Sequence, residues 1–278
     1  MSALSKLFQM LPPRLPGKQR LGRALLRLLK QADVETVVPG LFGLRYTTPN
    51  LIENVAFEIF INGAVEIESI DFMVQKLKAY GENPRLLDIG ANIGGIALPC
   101  ASLVQGLQVY CIEASPRVFS YLKRNIEDNN LGDRVFADNL AISDSDASTL
   151  QFFSPNEQFG KGSLSAVFTK EGVSVPNQRL DAWVANTLKQ LPNLIKIDVE
   201  GFERQIFDSG VALFTPNDAP DIYFEFIDWA EELAGNAPGA AQSALLKLGY
   251  KLYDPDRGMK SVTEPLKKGY AMLFATKN

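Results

Sequence analysis

The 278-residue chain contains no histidine. That excludes Ser-His-Asp triads, histidine metal sites and the commonest general base, so proton chemistry falls to Asp, Glu, Lys, Tyr or ordered water. Cysteine is nearly as scarce. Cys100 and Cys111 fall on a predicted helix and a predicted strand and read as small core residues, which leaves neither a disulfide framework nor a cysteine zinc site to expect. No uninterrupted apolar run approaches the roughly 18 residues that cross a bilayer, and the first residues lack the layout of a secretory signal, so the expected location is the cytoplasm. Internal repeats and low-complexity tracts are missing too. The hydrophobic content of 46% suits one large domain or a domain with an extension.

Acidic residues are absent from one region in particular. Before Asp33 there are seven basic residues (Lys6, Arg14, Lys18, Arg20, Arg23, Arg27, Lys30) and no acidic one, so this head carries +7 while the remainder, 21 basic against 32 acidic, carries −11. Leu21, Ala24, Leu25, Leu28 and Leu29 recur at i, i+3, i+4, i+7 and i+8, which predicts an amphipathic basic helix over about residues 17–31. Such a helix suits an anionic membrane surface or an acidic partner. The plainer expectation is that its leucine face packs on the domain. Residues 1–33 therefore read as an extension, 34–83 as a cap or lead-in and 84–278 as the main domain. Within the cap, Leu44-Arg45-Tyr46 and residues 57–61 look like short strands, Asn62-Gly63 marks a turn, and 68–80 looks like a helix.

The chain is organised around residues 86–98. Leu86, Leu87 and Ile89 form an apolar run that breaks into small residues and resumes as Ile93, Ile96 and Ala97 at helical spacing, the pattern of a buried strand, a tight turn and a helix start. Gly90 and Gly94 would let the backbone approach a ligand, the first helical amides are unpaired donors, and Asp88 at the strand's end can accept a bond from a cofactor. A dinucleotide turn, G-x-G-x-x-G, has a glycine near the position of Asn92, where a pyrophosphate would here meet a side chain. Glu113 ends the next predicted strand, about 20 residues on, where a carboxylate accepts bonds from both hydroxyls of a ribose. A third strand, 134–137, runs into Asp138 and Asn139, either of which can reach an adenine edge.

A second informative stretch is 194–203. Ile195, Ile197 and Val199 alternate with Lys196, Asp198 and Glu200, so three charges project to one side of a central strand near its end and must pair with each other, a cation or a polar ligand. In a doubly wound sheet this strand adjoins the first one across the ligand crevice. A later strand, 221–226, ends near Glu225. Between 150 and 180 the regular alternation lapses into an insertion, either a lid or substrate loop or a decorative excursion.

Asp88-Ile-Gly-Ala-Asn-Ile-Gly94, Ile112-Glu113-Ala-Ser-Pro116, Asn139-Leu-Ala-Ile-Ser-Asp144, Gly162-Ser-Leu-Ser165, Leu180-Asp181 and Ile195-Lys-Ile-Asp-Val-Glu-Gly201 follow one another as in FkbM-type S-adenosylmethionine-dependent methyltransferases, which the chain resembles over about residues 60–230. The resemblance implies a class I methyltransferase (Rossmann-like) α/β fold, doubly wound, with a seven-stranded sheet whose last strand is antiparallel. It also implies O-methylation of a sugar, polyketide or similar small-molecule hydroxyl, and no nucleic-acid partner. Asp88, Gly90, Asn92, Gly94, Glu113, Asp138 and Asn139 are then the cofactor-binding candidates, and Glu200, Glu225, Ser163 and Ser165 the acceptor-binding ones. With no histidine, Asp198 is the candidate to orient or deprotonate the hydroxyl and Lys196 to tune it. Asp198, Glu200 and Glu225 are hard oxygen donors of the kind that suits magnesium, though nothing in their spacing requires a divalent cation. The competing readings are a non-catalytic protein that binds an adenosyl cofactor or a membrane surface and, less favoured, an NAD-dependent dehydrogenase.

Overall fold

A computed structural model describes residues 2–166 and 169–278 of the chain. Helices α1 (Ser2–Gln9) and α2 (Lys18–Leu28) precede a two-stranded antiparallel ribbon, β1 (Thr36–Pro39) with β2 (Arg45–Thr48). Helices α3 (Asn54–Asn62) and α4 (Ile67–Ala79) lead into β3 (Arg85–Ile89), after which α5 (Ala97–Leu103), β4 (Gln108–Ile112), α6 (Pro116–Asp128) and β5 (Val135–Asp138) alternate. An excursion follows, formed by β6 (Ala141–Ile142), β7 (Thr149–Phe153) and β8 (Gly172–Gln178), in which β8 pairs with both others. Residues 167 and 168 of the inserted segment lie outside the described residues. The chain continues through α7 (Leu180–Thr187), β9 (Leu194–Ile197), α8 (Glu203–Ser209), α9 (Val211–Phe214) and β10 (Asp221–Ile227). It closes with α10 (Asp228–Leu233), α11 (Ala240–Lys247), β11 (Lys251–Asp254), β12 (Lys260–Val262) and β13 (Tyr270–Thr276).

The main sheet has the order β12-β11-β13-β10-β9-β3-β4-β5. Its five strands from β10 to β5 are parallel, and β13 lies antiparallel between β10 and β11. This is the doubly wound class I fold, with seven strands of which the last, β13, is antiparallel as expected, and short β12 added beside β11. The chain runs outward from β3 to β5 and then returns to β9 on the other side of β3. That reversal opens a crevice at the carboxyl ends of β3 and β9, where ligands bind in such sheets.

Period-two alternation distributes the strand side chains between two helical layers. Leu86, Val109, Cys111 and Leu194 join the core shared with α3 to α6, and Leu87, Ile89, Ile195 and Ile197 join the core shared with α7, α8 and α11. Phe8, Leu26 and Tyr46 belong to the first core, so the head and the ribbon are packed onto the domain. Cys100 and Cys111 are both buried and unpaired. Among the described residues no helix is long and apolar enough to cross a membrane.

Two local expectations are corrected. Residues 57–61 form no strand but the body of α3, because the Glu53 side chain accepts the Ala56 amide at its start and Gly63, at φ 84°, ends it in a left-handed turn. Ala56, Phe57, Ile59, Phe60 and Ile61 are buried on nearly all sides, so the run carries no 3.6-residue periodicity to distinguish it from a buried strand. In α2 the expected helix exists, but of its leucine face only Leu25 packs on the domain, while Leu21, Leu28 and Leu29 are exposed. Lys18, Gly22 and Leu26 are buried instead, with Gly22 against Phe57 and Ile61, where a Cβ would come within 3.2 Å of both side chains.

This orientation makes Leu26, 1% exposed, the anchor of α2 and leaves Leu28, 77% exposed, without a packing role. Leu26→Ala is expected to cost about 2–5 kcal/mol in chemical denaturation, whereas Leu28→Ala changes stability by no more than about 0.5 kcal/mol. Equal losses would mean that α2 sits the other way round.

Candidate active site

The crevice at the β3–β9 switch point holds a cavity of about 230 Å³. One wall is the turn after β3. Gly90 (φ 84°) and Asn92 (φ 52°) are both left-handed, and a Cβ at Gly90 would lie 1.9 Å from the Asp198 carbonyl oxygen, so glycine is required for this turn to pass the end of β9. The Gly90 and Ala91 amides both donate to the Ile112 carbonyl, which fixes the turn against the end of β4. Gly94 has a different task. It lies behind the wall, where a Cβ would strike Leu98 and Leu122 at 2.9 and 3.1 Å.

Glu113 follows directly on β4 and is buried at the cavity's edge. Its two carboxylate oxygens accept the Asn92 amide at 3.0 Å and the Ser115 amide at 2.8 Å, which locks the first turn to the second. Burial pushes its pKa up to about 7 against the downward pull of those amides. Asp138 and Asn139 stay out of the cavity. Asp138 accepts the indole N–H of Trp183 at 2.9 Å, and the Asn139 amide donates to the Glu113 and Ala114 carbonyls, so it braces the turn after β4 from behind. Leu140, Ala141 and Ile142 supply the apolar wall beyond them.

Opposite lies a cluster of charges. Asp88 and Lys196 are register partners on β3 and β9, and the Lys196 ammonium stands 3.5 Å from Asp88 Oδ1, 3.1 Å from Asp198 Oδ2 and 3.4 Å from the Gly90 carbonyl. Burial disfavours its charge, but Asp198, Asp88 and Glu66 outweigh it and hold the pKa above the usual lysine value. Asp88, fully buried, sits beneath the floor of the cavity and does not line it. The strand itself is shorter than its alternation suggests. It ends at Ile197, and Glu200 reaches the cavity from a left-handed turn (φ 53°) rather than from the strand.

Lys196, Asp198, Glu200 and Glu225 nonetheless meet at one cavity, Glu200 from the turn and Glu225 from β10. Burial, reinforced by Asp198 and Glu203, pushes the Glu200 pKa up to about 8. Burial and neighbouring carboxylates, Asp198 and Glu200 foremost, raise Glu225 well above its usual range. Ser163 and Ser165 do not line the cavity. Ser163 is tied by backbone bonds to Phe153, and its neighbours Gly162 and Leu164 form the wall together with Phe152, Phe159, Gly160 and Lys161.

Two carboxylates escaped the sequence reading. Glu53 caps α3 and faces the cavity; reading 57–61 as a strand removed the helix start that would have marked it. Glu66, left-handed at the start of α4, also lines the cavity; its Oε2 is buried without a hydrogen-bond partner among the described residues, and burial with Asp198 lifts its pKa to about 7. Its only signal was a position just before a predicted helix. Among the described residues no group of three or more His, Cys, Asp or Glu is arranged to hold a metal ion.

The profile of the methyltransferase FkbM domain matches residues 88–252. The chain belongs to the FkbM family of S-adenosylmethionine-dependent methyltransferases, and the match spans both the Gly90 turn and the Lys196–Glu200 segment. No curated protein matches the chain. Solved structures similar to it include an O-methyltransferase from Bacillus cereus in complex with SAH, at 13% identity and a TM-score of 0.45, covering 99% of this chain and 96% of that one. Another is precorrin-6y C5,15-methyltransferase from Geobacter metallireducens, at 12% identity and a TM-score of 0.44, covering 77% and 90%. Aeropyrum pernix fibrillarin with bound S-adenosyl-L-methionine aligns at 11% identity and a TM-score of 0.42, covering 88% and 84%.

The raised carboxyl groups give stability a definite pH dependence. A glutamate of ordinary pKa 4.5 that titrates at about 7 (Glu66, Glu113, Glu203) or about 8 (Glu200) when folded binds more protons in the folded than in the unfolded state between those limits. Stability is then fully present below about 4.5 and is lost as pH rises through about 8. The melting temperature should fall between about pH 5 and pH 9, and Glu200→Gln should raise it at the upper end while leaving it unchanged at the lower. A substitution without effect at both ends would contradict the assignment.

Proposed function

We propose that the protein transfers the methyl group of S-adenosylmethionine to a hydroxyl of a sugar, polyketide or similar small molecule. The observation that carries this reading is the meeting of Glu113 and the Gly90 turn with the Asp198–Glu200 carboxylates at one cavity. The residues present fit the adenosyl group. Glu113 retains lone pairs beyond its two backbone bonds for vicinal ribose hydroxyls, the 140–142 wall suits an adenine, and the turn from Ala91 to Ile96 suits the methionine end. S-adenosylmethionine supplies an already activated methyl group at a sulfonium centre. The protein's own task is to place the acceptor oxygen and remove its proton.

Asp198, held by Lys196, orients the hydroxyl in this reading. Asp198 also takes the proton as the new O–C bond forms, while Glu200, whose carboxyl is largely neutral below its raised pKa of about 8, binds an acceptor oxygen. Glu225 and Glu66 accept bonds from further acceptor hydroxyls. Gly160, Lys161, Gly162 and Leu164 of the inserted segment close over the acceptor, which makes the segment a substrate loop.

The test is methyl transfer from isotopically labelled S-adenosylmethionine to a panel of sugar and polyketide alcohols, with label expected in a methyl ether. Asp198→Asn should keep cofactor affinity and lose about a hundredfold or more in turnover. Glu113→Ala should weaken cofactor binding by about 1.5–3 kcal/mol for each charge-assisted bond removed. Full turnover in Asp198→Asn, or label on nitrogen or carbon, would overturn the assignment.

A further inference from the structure

We infer that the basic head is a docking surface for an anionic lipid bilayer. Six of the sixteen exposed large apolar side chains among the described residues lie before Asp33: Leu7, Met10, Leu15, Leu21, Leu28 and Leu29. Met10 and Leu28 are about as open as a side chain can be, at 82% and 77% exposure. On α2 they form a pattern. Leu21, Ala24 and Leu28 follow at i, i+3 and i+7 along the outward side, and Arg20 and Arg27, seven residues apart, run as a second stripe beside them. A helix lying in a membrane interface has this layout, an apolar stripe flanked by cations.

The charges of the head divide into two groups. Lys18 is buried and donates to the Leu11 carbonyl and Asn62 Oδ1; Arg23 stacks over Phe57 and donates to the Ile52 carbonyl and Asn54 Oδ1; Arg14 pairs with Glu68. These fasten the head to the domain. Lys6, Arg20, Arg27 and Lys30 are exposed and, among the described residues, have no carboxylate within ion-pair distance. No acidic residue precedes Asp33, so the surface is of one sign. Four unspent cations beside six exposed aliphatic side chains complement a surface that is both anionic and apolar just beneath, which is a bilayer carrying acidic lipids. The only aromatic residue of the head, Phe8, is buried, so the surface lacks the Trp and Tyr anchors that enrich protein-binding hot spots. Because Phe8, Lys18, Arg23 and Leu26 hold both helices to the core, docking would orient the whole protein rather than a loose tether.

The experiment is cosedimentation of the intact protein with phosphatidylcholine vesicles, with and without phosphatidylserine. Binding is expected to the phosphatidylserine vesicles and to fall steeply with added salt. Arg20→Glu/Arg27→Glu should weaken it by roughly thirtyfold or more, at about fivefold for each cation lost. Leu21→Ser/Leu28→Ser should weaken it while leaving the salt dependence in place. All four positions face outward, so unchanged melting temperatures and unchanged S-adenosylhomocysteine affinity should show that fold and cofactor site are intact. No difference between the two vesicle types, or binding by both variants as tight as that of the unaltered protein, overturns the proposal; absence of vesicle binding also overturns it and leaves an acidic protein partner as the alternative.

Discussion

One buried ammonium holds the centre of this molecule. Lys196, on β9, stands between Asp88 of β3 and Asp198 just past the end of β9, and also donates to the Gly90 carbonyl. Each of these charges alone would be costly to bury, and removing one partner from such an arrangement typically costs about 3–5 kcal/mol because the other is left uncompensated. Together they bind the two strands that flank the switch point. They also set the close passage of the Gly90 turn over Asp198, which only a residue without a side chain permits.

The rest of the site follows from that junction. With the first turn fixed, the Asn92 amide reaches Glu113, and Asn139 braces the second turn from behind. The excess of carboxylates around the cavity has a consequence of its own. Lys196 is already shared between Asp88 and Asp198, so Glu66, Glu200 and Glu225 meet the cavity with raised pKa values, held up first by burial and then by the Asp198 carboxylate. A chain without histidine thereby acquires groups that titrate near neutrality. Glu113, raised to about 7 by the same burial, lies beside the apolar wall of residues 140–142.

Much of this was legible in the residues themselves. The β3 turn, Glu113 and the Lys196–Glu200 alternation could be read because strand periodicity places side chains with a fixed rule and because charges at the end of an apolar strand need a reason. What escaped reading depends on tertiary contacts. Residues 57–61 are apolar without rhythm, so helix and strand look alike until Glu53 and Gly63 are seen as caps. Gly94 reads as a ligand glycine, but Leu98 and Leu122, one of them 28 residues away, explain it. Leu21 and Leu28 of α2 point outward because Lys18 and Arg23 have partners on α3 and its approach, and no local pattern announces that a lysine will be on the buried side.

The central claim is that the crevice between β3 and β9 is an adenosyl-sulfonium site built by Glu113 and the Gly90 turn. Its most direct test is calorimetric titration of the purified protein with S-adenosylmethionine, S-adenosylhomocysteine and NADH. The account predicts saturable one-to-one binding of the first two and none of the third, since Asn92 stands where a pyrophosphate would have to pass. Failure of both adenosyl compounds to bind, or tighter binding of NADH, would contradict it.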